Sequence, residues 1–161
     1  MSKSRNLNLD QWKKRTIRAK LRKRILNVTT TPSPNNAKRI LIVEDDPDIR
    51  HLIAIQMRLF KYEPVEVANG KAALQLIQSE ASFDLVITDA SMPELDGFQL
   101  TYALRACPAY SQVPIIMITA LDEQWVSRRA YETGVSEFLG KPLDRLKFKT
   151  AVQSLLHPAV V

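Results

Sequence analysis

The sequence predicts an α/β fold in which a parallel sheet is covered by helices on both faces. Short apolar runs alternate with stretches of helical periodicity five times along residues 39–156. These runs are apolar at successive positions, as in strands buried on both faces of a parallel sheet. A chain of 161 residues that is 45% hydrophobic can hold one such domain and an appendage. With right-handed crossovers, the result is an open, doubly wound sandwich.

The strands and helices follow one another in a regular order. The predicted strands are RILIV, PVEVA, DLVIT, PIIMIT and SEFL, at residues 39–43, 64–68, 84–88, 114–119 and 136–139. Apolar side chains at helical spacing predict helices at residues 48–60, 70–78, 97–106, 122–133 and 144–156. Asp46 is predicted to begin the first helix, since carboxylates favour helix N-termini. Asp96 and Gly97 are predicted to turn into the third helix, and Gly134 to end the fourth.

The charge of the chain is divided between a basic tail and an acidic domain. Residues 1–39 carry 12 lysines and arginines and one acid, a net +11, whereas the rest carry 11 basic and 16 acidic residues, a net −5. The stretch TTTPSPNNAK has no apolar periodicity and holds two prolines, which predicts a linker. We therefore expect a basic amphipathic extension at 1–28, a linker at 29–38, the α/β domain at 39–157 and a short tail at 158–161.

The extension has two interpretations. Apolar side chains recur at helical spacing, which predicts a basic amphipathic helix; they are Leu9, Trp12, Thr16 or Ile17, Leu21 and Ile25. The alternative is a solvated segment that is disordered when free, as charge runs usually are. Its candidate partners are nucleic acid, an anionic membrane surface, a partner protein and the acidic domain itself.

Several classes of protein are disfavoured by composition. A single cysteine, Cys107, allows no internal disulfide and fits a reducing compartment, and two isolated histidines form no zinc-like cluster. No stretch reaches the roughly 18 apolar residues of a membrane helix, and the first residues lack the apolar core of a secretory signal. We expect a cytoplasmic protein without a membrane span.

Polar residues follow four of the five predicted strands. Strand one runs into Glu44, Asp45 and Asp46, strand three into Asp89, strand four into Thr119, and Lys141 closely follows strand five. In a parallel sheet these strand ends share one edge, where ligands bind. Clustered carboxylates raise one another's pKa unless a cation lies among them. Oxygen ligands without Cys or His favour Mg²⁺ before Ca²⁺ or Mn²⁺.

The remaining groups at this edge suit an anionic ligand with several oxygens. The hydroxyl of Thr119 and the ammonium of Lys141 can each bind a phosphoryl oxygen. Together with a metal and the carboxylate of Asp89, they predict a phosphoryl-transfer site in which an aspartate is the acceptor.

The motifs EDD, DASMPELDG, TA and GKP, in this order, resemble the response-regulator receiver domain of two-component signalling over about residues 38–157. The resemblance implies a flavodoxin-like (βα)5 sheet of order 2-1-3-4-5. It also implies that Asp89 accepts a phosphoryl group from a sensor histidine kinase or a phosphotransfer protein. By the same resemblance Asp45, Asp89 and the main-chain carbonyl of Ser91 bind Mg²⁺ directly, and Glu44 reaches it through water.

The resemblance also assigns the output of the domain. Thr119 and Lys141 hold phosphoryl oxygens, and Phe138 is the aromatic that moves inward with Thr119. Binding to a downstream protein then changes at the face of the fourth helix, fifth strand and fifth helix. The resemblance implies a cis Lys141-Pro142 bond, and a phosphoryl lifetime that depends on Ser91 and Leu121. Only HPAVV follows the last helix, so we expect a stand-alone receiver.

Two other functions compete with this interpretation. A phosphatase of the haloacid dehalogenase kind also uses an aspartate and Mg²⁺, but it needs a second Asp two residues later, where this chain has Ser91. The second alternative is a protein that binds nucleic acid or membranes through residues 1–28, with the receiver as regulator or scaffold. Because the only reaction of a receiver domain would be self-phosphotransfer onto Asp89, we do not expect an enzyme.

Overall fold

The computed structural model describes residues 37–79, 82–120 and 132–158. Five strands lie in these ranges: β1 (Arg39–Val43), β2 (Glu63–Val67), β3 (Leu85–Asp89), β4 (Ile115–Thr119) and β5 (Glu137–Gly140). They contain four helices of at least nine residues: α1 (Pro47–Leu59), α2 (Gly70–Gln78), α3 (Gly97–Arg105) and α4 (Arg145–Leu156). The predicted extension, most of the predicted linker, Leu121 and nearly all of the predicted helix at 122–133 lie outside the described residues.

The five strands form one parallel sheet of order β2-β1-β3-β4-β5, which confirms the predicted order. In this order β1 and β4 flank β3 on either side. Val43 pairs with Thr88 and Asp89 pairs with Ile118, so the carboxyl ends of the three central strands lie at one edge of the sheet. The third strand includes Asp89, one residue beyond its predicted end.

Alternate residues of each strand enter two separate apolar layers. On one face, Leu41 and Val86 pack in a cluster with α2 and α3. On the other face, Ile40 and Ile87 pack in a cluster with α1 and α4. β1, β3 and β4 are almost fully buried, which explains why their sequences read as continuous apolar runs.

Polar caps fix where the helices begin near the site. The Asp46 side chain accepts from the amides of Asp48 and Ile49, which confirms the predicted start of the first helix. Asp96 forms a capping box with Gln99 at the start of α3. No helix of the described part of the chain is both long and apolar enough to cross a membrane.

Gly134 has a φ of 82°, the left-handed conformation typical of a residue that ends a helix. This agrees with its predicted place after the helix at 122–133.

Candidate functional site

The candidate site lies where the carboxyl ends of the central strands meet. Glu44 follows β1, Asp89 ends β3, Thr119 ends β4, and Lys141 follows β5. Because β1 and β4 are the immediate neighbours of β3, Asp89 lies between Glu44, which follows β1, and Thr119, which ends β4. Residues far apart in sequence therefore converge on one point.

Three carboxylates form the centre of this site. One oxygen from each of Glu44, Asp45 and Asp89 lies within 4.8 Å of the others. The side chains differ in exposure, since Glu44 is 1% and Asp89 8% accessible, whereas Asp45 is exposed. The set therefore opens to solvent on the side of Asp45 and is closed by the protein behind Glu44.

Lys141 provides the positive charge of the site. Its Nζ lies 3.1 Å from Glu44 Oε2 and 3.3 Å from Asp89 Oδ2. Its main-chain amide donates to the Thr119 carbonyl at 2.8 Å, which ties the residue after β5 to the end of β4. The Lys141-Pro142 peptide is cis, as the resemblance predicts. The lysine thus bridges the two buried carboxylates.

Burial and charge act in opposite directions on the pKa values of this group. Burial raises the pKa of Glu44 above its ordinary value, and the charge of Asp89 raises it further, although the hydrogen bond from Lys141 lowers it. For Lys141, burial alone would lower the pKa, but the hydrogen bond and charge of Glu44 and the charge of Asp89 together raise it. The lysine is therefore held in its charged form, while burial keeps the pKa of Glu44 raised despite this contact.

The donor set fits a hard divalent cation. Three carboxylates supply oxygen ligands only, which hard divalent cations prefer, and the three lie close enough together to share one ion. Ser91 is the second residue after Asp89, and its main-chain amide donates to Asp89 Oδ1 at 3.4 Å. The arrangement therefore holds the Ser91 amide next to the Asp89 carboxylate.

The two predicted switch residues lie on the neighbouring strands β4 and β5. Thr119 is 4% accessible at the end of β4. Phe138 is partly buried on β5 and packs against an apolar cluster that includes Ala90, Phe98 and Met117. Ala90 directly follows Asp89, so the cluster joins the carboxyl end of β3 to β5.

One arginine near the site was not predicted from the sequence. Arg50 Nη1 donates to the main-chain carbonyl of Glu44 at 2.7 Å and to that of Asp45 at 3.3 Å. Its position in the first turn of a helix that follows an acidic run is the only sequence signal. That signal does not distinguish an arginine that binds the loop from one whose side chain is solvated.

The family model of the response regulator receiver domain matches residues 40–153, which include β2 to β5, all of β1 except Arg39, and the whole candidate site. The chain belongs to this family. The match extends over most of the described residues, and the family interpretation based on the four motifs is confirmed.

Known proteins with a similar receiver domain include regulators of transcription. A probable transcriptional regulator of Cyanophora paradoxa is 35% identical over 122 residues, which are 76% of this chain and 49% of that protein. An uncharacterised 14.6 kDa protein of Leptolyngbya boryana is 34% identical over 114 residues, 71% of this chain and 86% of that protein. The chain spans about half the length of most of the curated relatives with the strongest matches.

A solved receiver domain gives a structural comparison for the site. The receiver domain of a sensor histidine kinase from Pseudomonas aeruginosa aligns with a TM-score of 0.68 and 29% identity, over 74% of this chain and 98% of that one. That structure has a magnesium ion coordinated in its active-site cleft. These similarities favour a receiver and do not favour a protein that acts chiefly through a basic tail.

Proposed function

We propose that this receiver domain is a phosphorylation switch in which Asp89 accepts a phosphoryl group. The observation that carries the proposal is the position of Asp89, which is nearly buried at the end of β3 and contacted by Lys141 at 3.3 Å. Glu44 and Asp45 complete an oxygen-ligand set around it. The donor would be a phosphohistidine of a sensor histidine kinase or a phosphotransfer protein.

In the proposed reaction, a carboxylate oxygen of Asp89 attacks phosphorus. The oxygen–phosphorus bond forms, the bond from phosphorus to the histidine nitrogen breaks, and the leaving imidazole takes a proton. Asp45, Asp89 and the Ser91 carbonyl would hold Mg²⁺, with Glu44 reaching it through water. When bound, the ion would supply positive charge to the phosphoryl oxygens. Lys141 and the Thr119 hydroxyl would bind the remaining phosphoryl oxygens.

The output of the switch is proposed to be a change in protein binding. Movement of Thr119 toward the phosphoryl group would leave space for Phe138, which packs in the cluster beside Asp89. The affected surface would include the predicted helix at 122–133, β5 and α4, and it would bind a downstream protein. The domain would act as a switch and not as an enzyme with a separate substrate. We propose a cytoplasmic location, and residues 1–28 as a contact for nucleic acid or an anionic surface.

The proposal is tested by labelling the full chain with a small phosphodonor such as acetyl phosphate. With Mg²⁺, we expect intact mass spectrometry to detect one added phosphoryl group, and we expect Asp89→Asn or removal of Mg²⁺ to abolish it. Asp96→Asn is the matched control, because asparagine caps a helix as well as aspartate does. Undiminished labelling of Asp89→Asn would show that another residue is the acceptor.

A further inference from the structure

We infer that Arg50 is a positioning residue that holds Glu44 and Asp45 in the orientation needed to bind a divalent cation. The inference rests on the proposed function of the site. One guanidinium nitrogen, Nη1, donates to two consecutive main-chain carbonyls, those of Glu44 and Asp45. These two residues carry two of the three carboxylates of the oxygen-ligand set.

The main chain of Arg50 is held in place at the start of α1. Its main-chain amide donates to the Asp46 carbonyl at 3.0 Å, so Arg50 lies in the first turn of the helix. The Asp46 side chain caps the same turn through Asp48 and Ile49. From this turn the partly buried Arg50 side chain reaches back to the loop. The cap and the arginine thus hold the same three-residue loop from two sides.

The two hydrogen bonds fix the loop directly. The Glu44 carbonyl belongs to the peptide group before the Asp45 Cα and the Asp45 carbonyl to the one after it, so the arginine resists rotation of both peptide groups about this atom. Hydrogen bonds from a charged donor are stronger than neutral ones. Without them the loop would rotate more freely, and the two carboxylates would lose their common orientation toward Asp89. Groups that orient metal ligands typically change metal affinity by about 10- to 100-fold when removed.

Charge and geometry predict opposite effects of removing this arginine. The guanidinium carries a positive charge close to a site for a cation, so its charge alone opposes binding. If Arg50 acted only through its charge, its removal would tighten Mg²⁺ binding. If it positions the loop, its removal weakens Mg²⁺ binding despite the loss of repulsion. The sign of the change therefore separates the two roles.

The test uses Arg50→Met in the full chain, because methionine fills similar space without a donor or a charge. Isothermal titration with Mg²⁺, without phosphodonor, should give about tenfold weaker binding. Arg50→Lys should restore part of the affinity, since lysine keeps a charged donor. Arg58→Met is the control, because Arg58 lies on the same helix and pairs with Glu66 at 3.1 Å. Equal or tighter Mg²⁺ binding by Arg50→Met would overturn the inference.

A second measurement separates failure of the inference from failure of the proposed function. Hydrogen exchange without Mg²⁺ should be faster at the amides of Asp45 and Asp46 in Arg50→Met than in the wild type, with the rest of the domain unchanged. If the wild type bound no Mg²⁺, the proposed metal requirement would fail, and the exchange rates would still test the loop. Unchanged exchange at these amides would overturn the positioning role.

Discussion

At the residue scale, the buried carboxylate of Glu44 makes the stability of the metal-free protein depend on pH. It is 1% accessible, and burial raises its pKa above the ordinary value of 4.5 despite the hydrogen bond from Lys141. Between pH 4.5 and this raised pKa, the folded protein binds more protons than the unfolded chain does. The free energy of unfolding of the metal-free protein should therefore rise as the pH falls from neutrality into this range.

The same argument predicts that Glu44→Gln stabilises the metal-free protein. Glutamine removes the buried charge and can still accept a hydrogen bond from Lys141. We therefore expect a higher melting temperature than that of the wild type at pH 7. The stabilisation by added Mg²⁺ should shrink. Thermal unfolding with and without Mg²⁺ measures both effects, with the more exposed Glu66→Gln as control. A lower melting temperature without Mg²⁺ would contradict the prediction.

A second prediction at this scale concerns how long Asp89 stays phosphorylated. The Ser91 side chain is exposed and too short to position an attacking water firmly, and Leu121 cannot hydrogen-bond one. We expect the phosphoryl group to last for many minutes after the donor is removed. Ser91→Asn, which offers a longer hydrogen-bonding side chain, should shorten the lifetime, whereas Ser91→Ala should not. Decay is followed by intact mass, and loss from the wild type within seconds would refute the prediction.

At the scale of the elements, α3 begins in close contact with the end of β3. A Cβ atom on Gly97 would lie 2.1 Å from the Asp89 carbonyl oxygen and 3.1 Å from Ala90 Cα. The Gly97 amide donates to the Ala90 carbonyl at 3.1 Å, and the Thr101 hydroxyl donates to the Gly97 carbonyl at 2.8 Å. Glycine is therefore required because no side chain fits between the helix and the strand end that bears Asp89.

We predict that Gly97→Ala destabilises the domain by several kcal/mol, since backbone atoms on both sides would have to move. Phosphorylation of Asp89 should fall as well, because the displaced atoms belong to Asp89 and Ala90. Gly140→Ala is the matched control, as a Cβ there meets nothing within 4 Å. Urea unfolding of both variants makes the comparison. Equal stability of the two would show that α3 can shift without cost.

These elements also show what the sequence could and could not predict. The α/β class followed from apolar runs that are buried on both faces, and the structure confirms it. The strand order depended on the resemblance, because hydrophobic patterning does not determine which strands are neighbours. The role of Arg50 could not be predicted, since the sequence around an arginine in a first helical turn is the same whether the side chain binds a loop or is solvated. The conformation of Glu94 could not be predicted either, because its φ of 69° usually favours glycine or asparagine.

At the scale of the whole molecule, the described chain begins at the amino end of β1, and the site lies at the carboxyl ends of the strands. The Arg39 amide donates to Asp84 Oδ2 at 2.8 Å, and Lys38 Nζ lies 3.3 Å from Asp84 Oδ1. These contacts hold the amino end of β1, whereas Glu44 follows its carboxyl end. A strand of five residues separates the two by roughly 17 Å. The described chain therefore enters β1 at the end away from Asp89.

The charge of the extension predicts how phosphorylation affects binding through it. Residues 1–28 carry 10 basic residues and one acid. Phosphorylation adds negative charge to the domain, which should repel a polyanion and compete for the extension. Exposed charges that are not in contact interact over about 30 Å at about 0.01 M salt, but over only about 8 Å at about 0.15 M. The coupling should therefore be present at low salt and nearly absent at physiological salt.

The measurement is the affinity of the full chain for a fluorescent DNA duplex at constant Mg²⁺, with and without beryllofluoride as a phosphoryl analogue. At low salt we expect beryllofluoride to weaken binding several-fold, within the usual coupling of about 1–3 kcal/mol. Lys13→Gln with Lys14→Gln should weaken binding and flatten its salt dependence, whereas Lys147→Gln on α4 should change neither. Coupling that persists at physiological salt would mean that a direct contact, and not the long-range field, links the extension to the switch. The absence of coupling at both salt concentrations would mean that the two act independently.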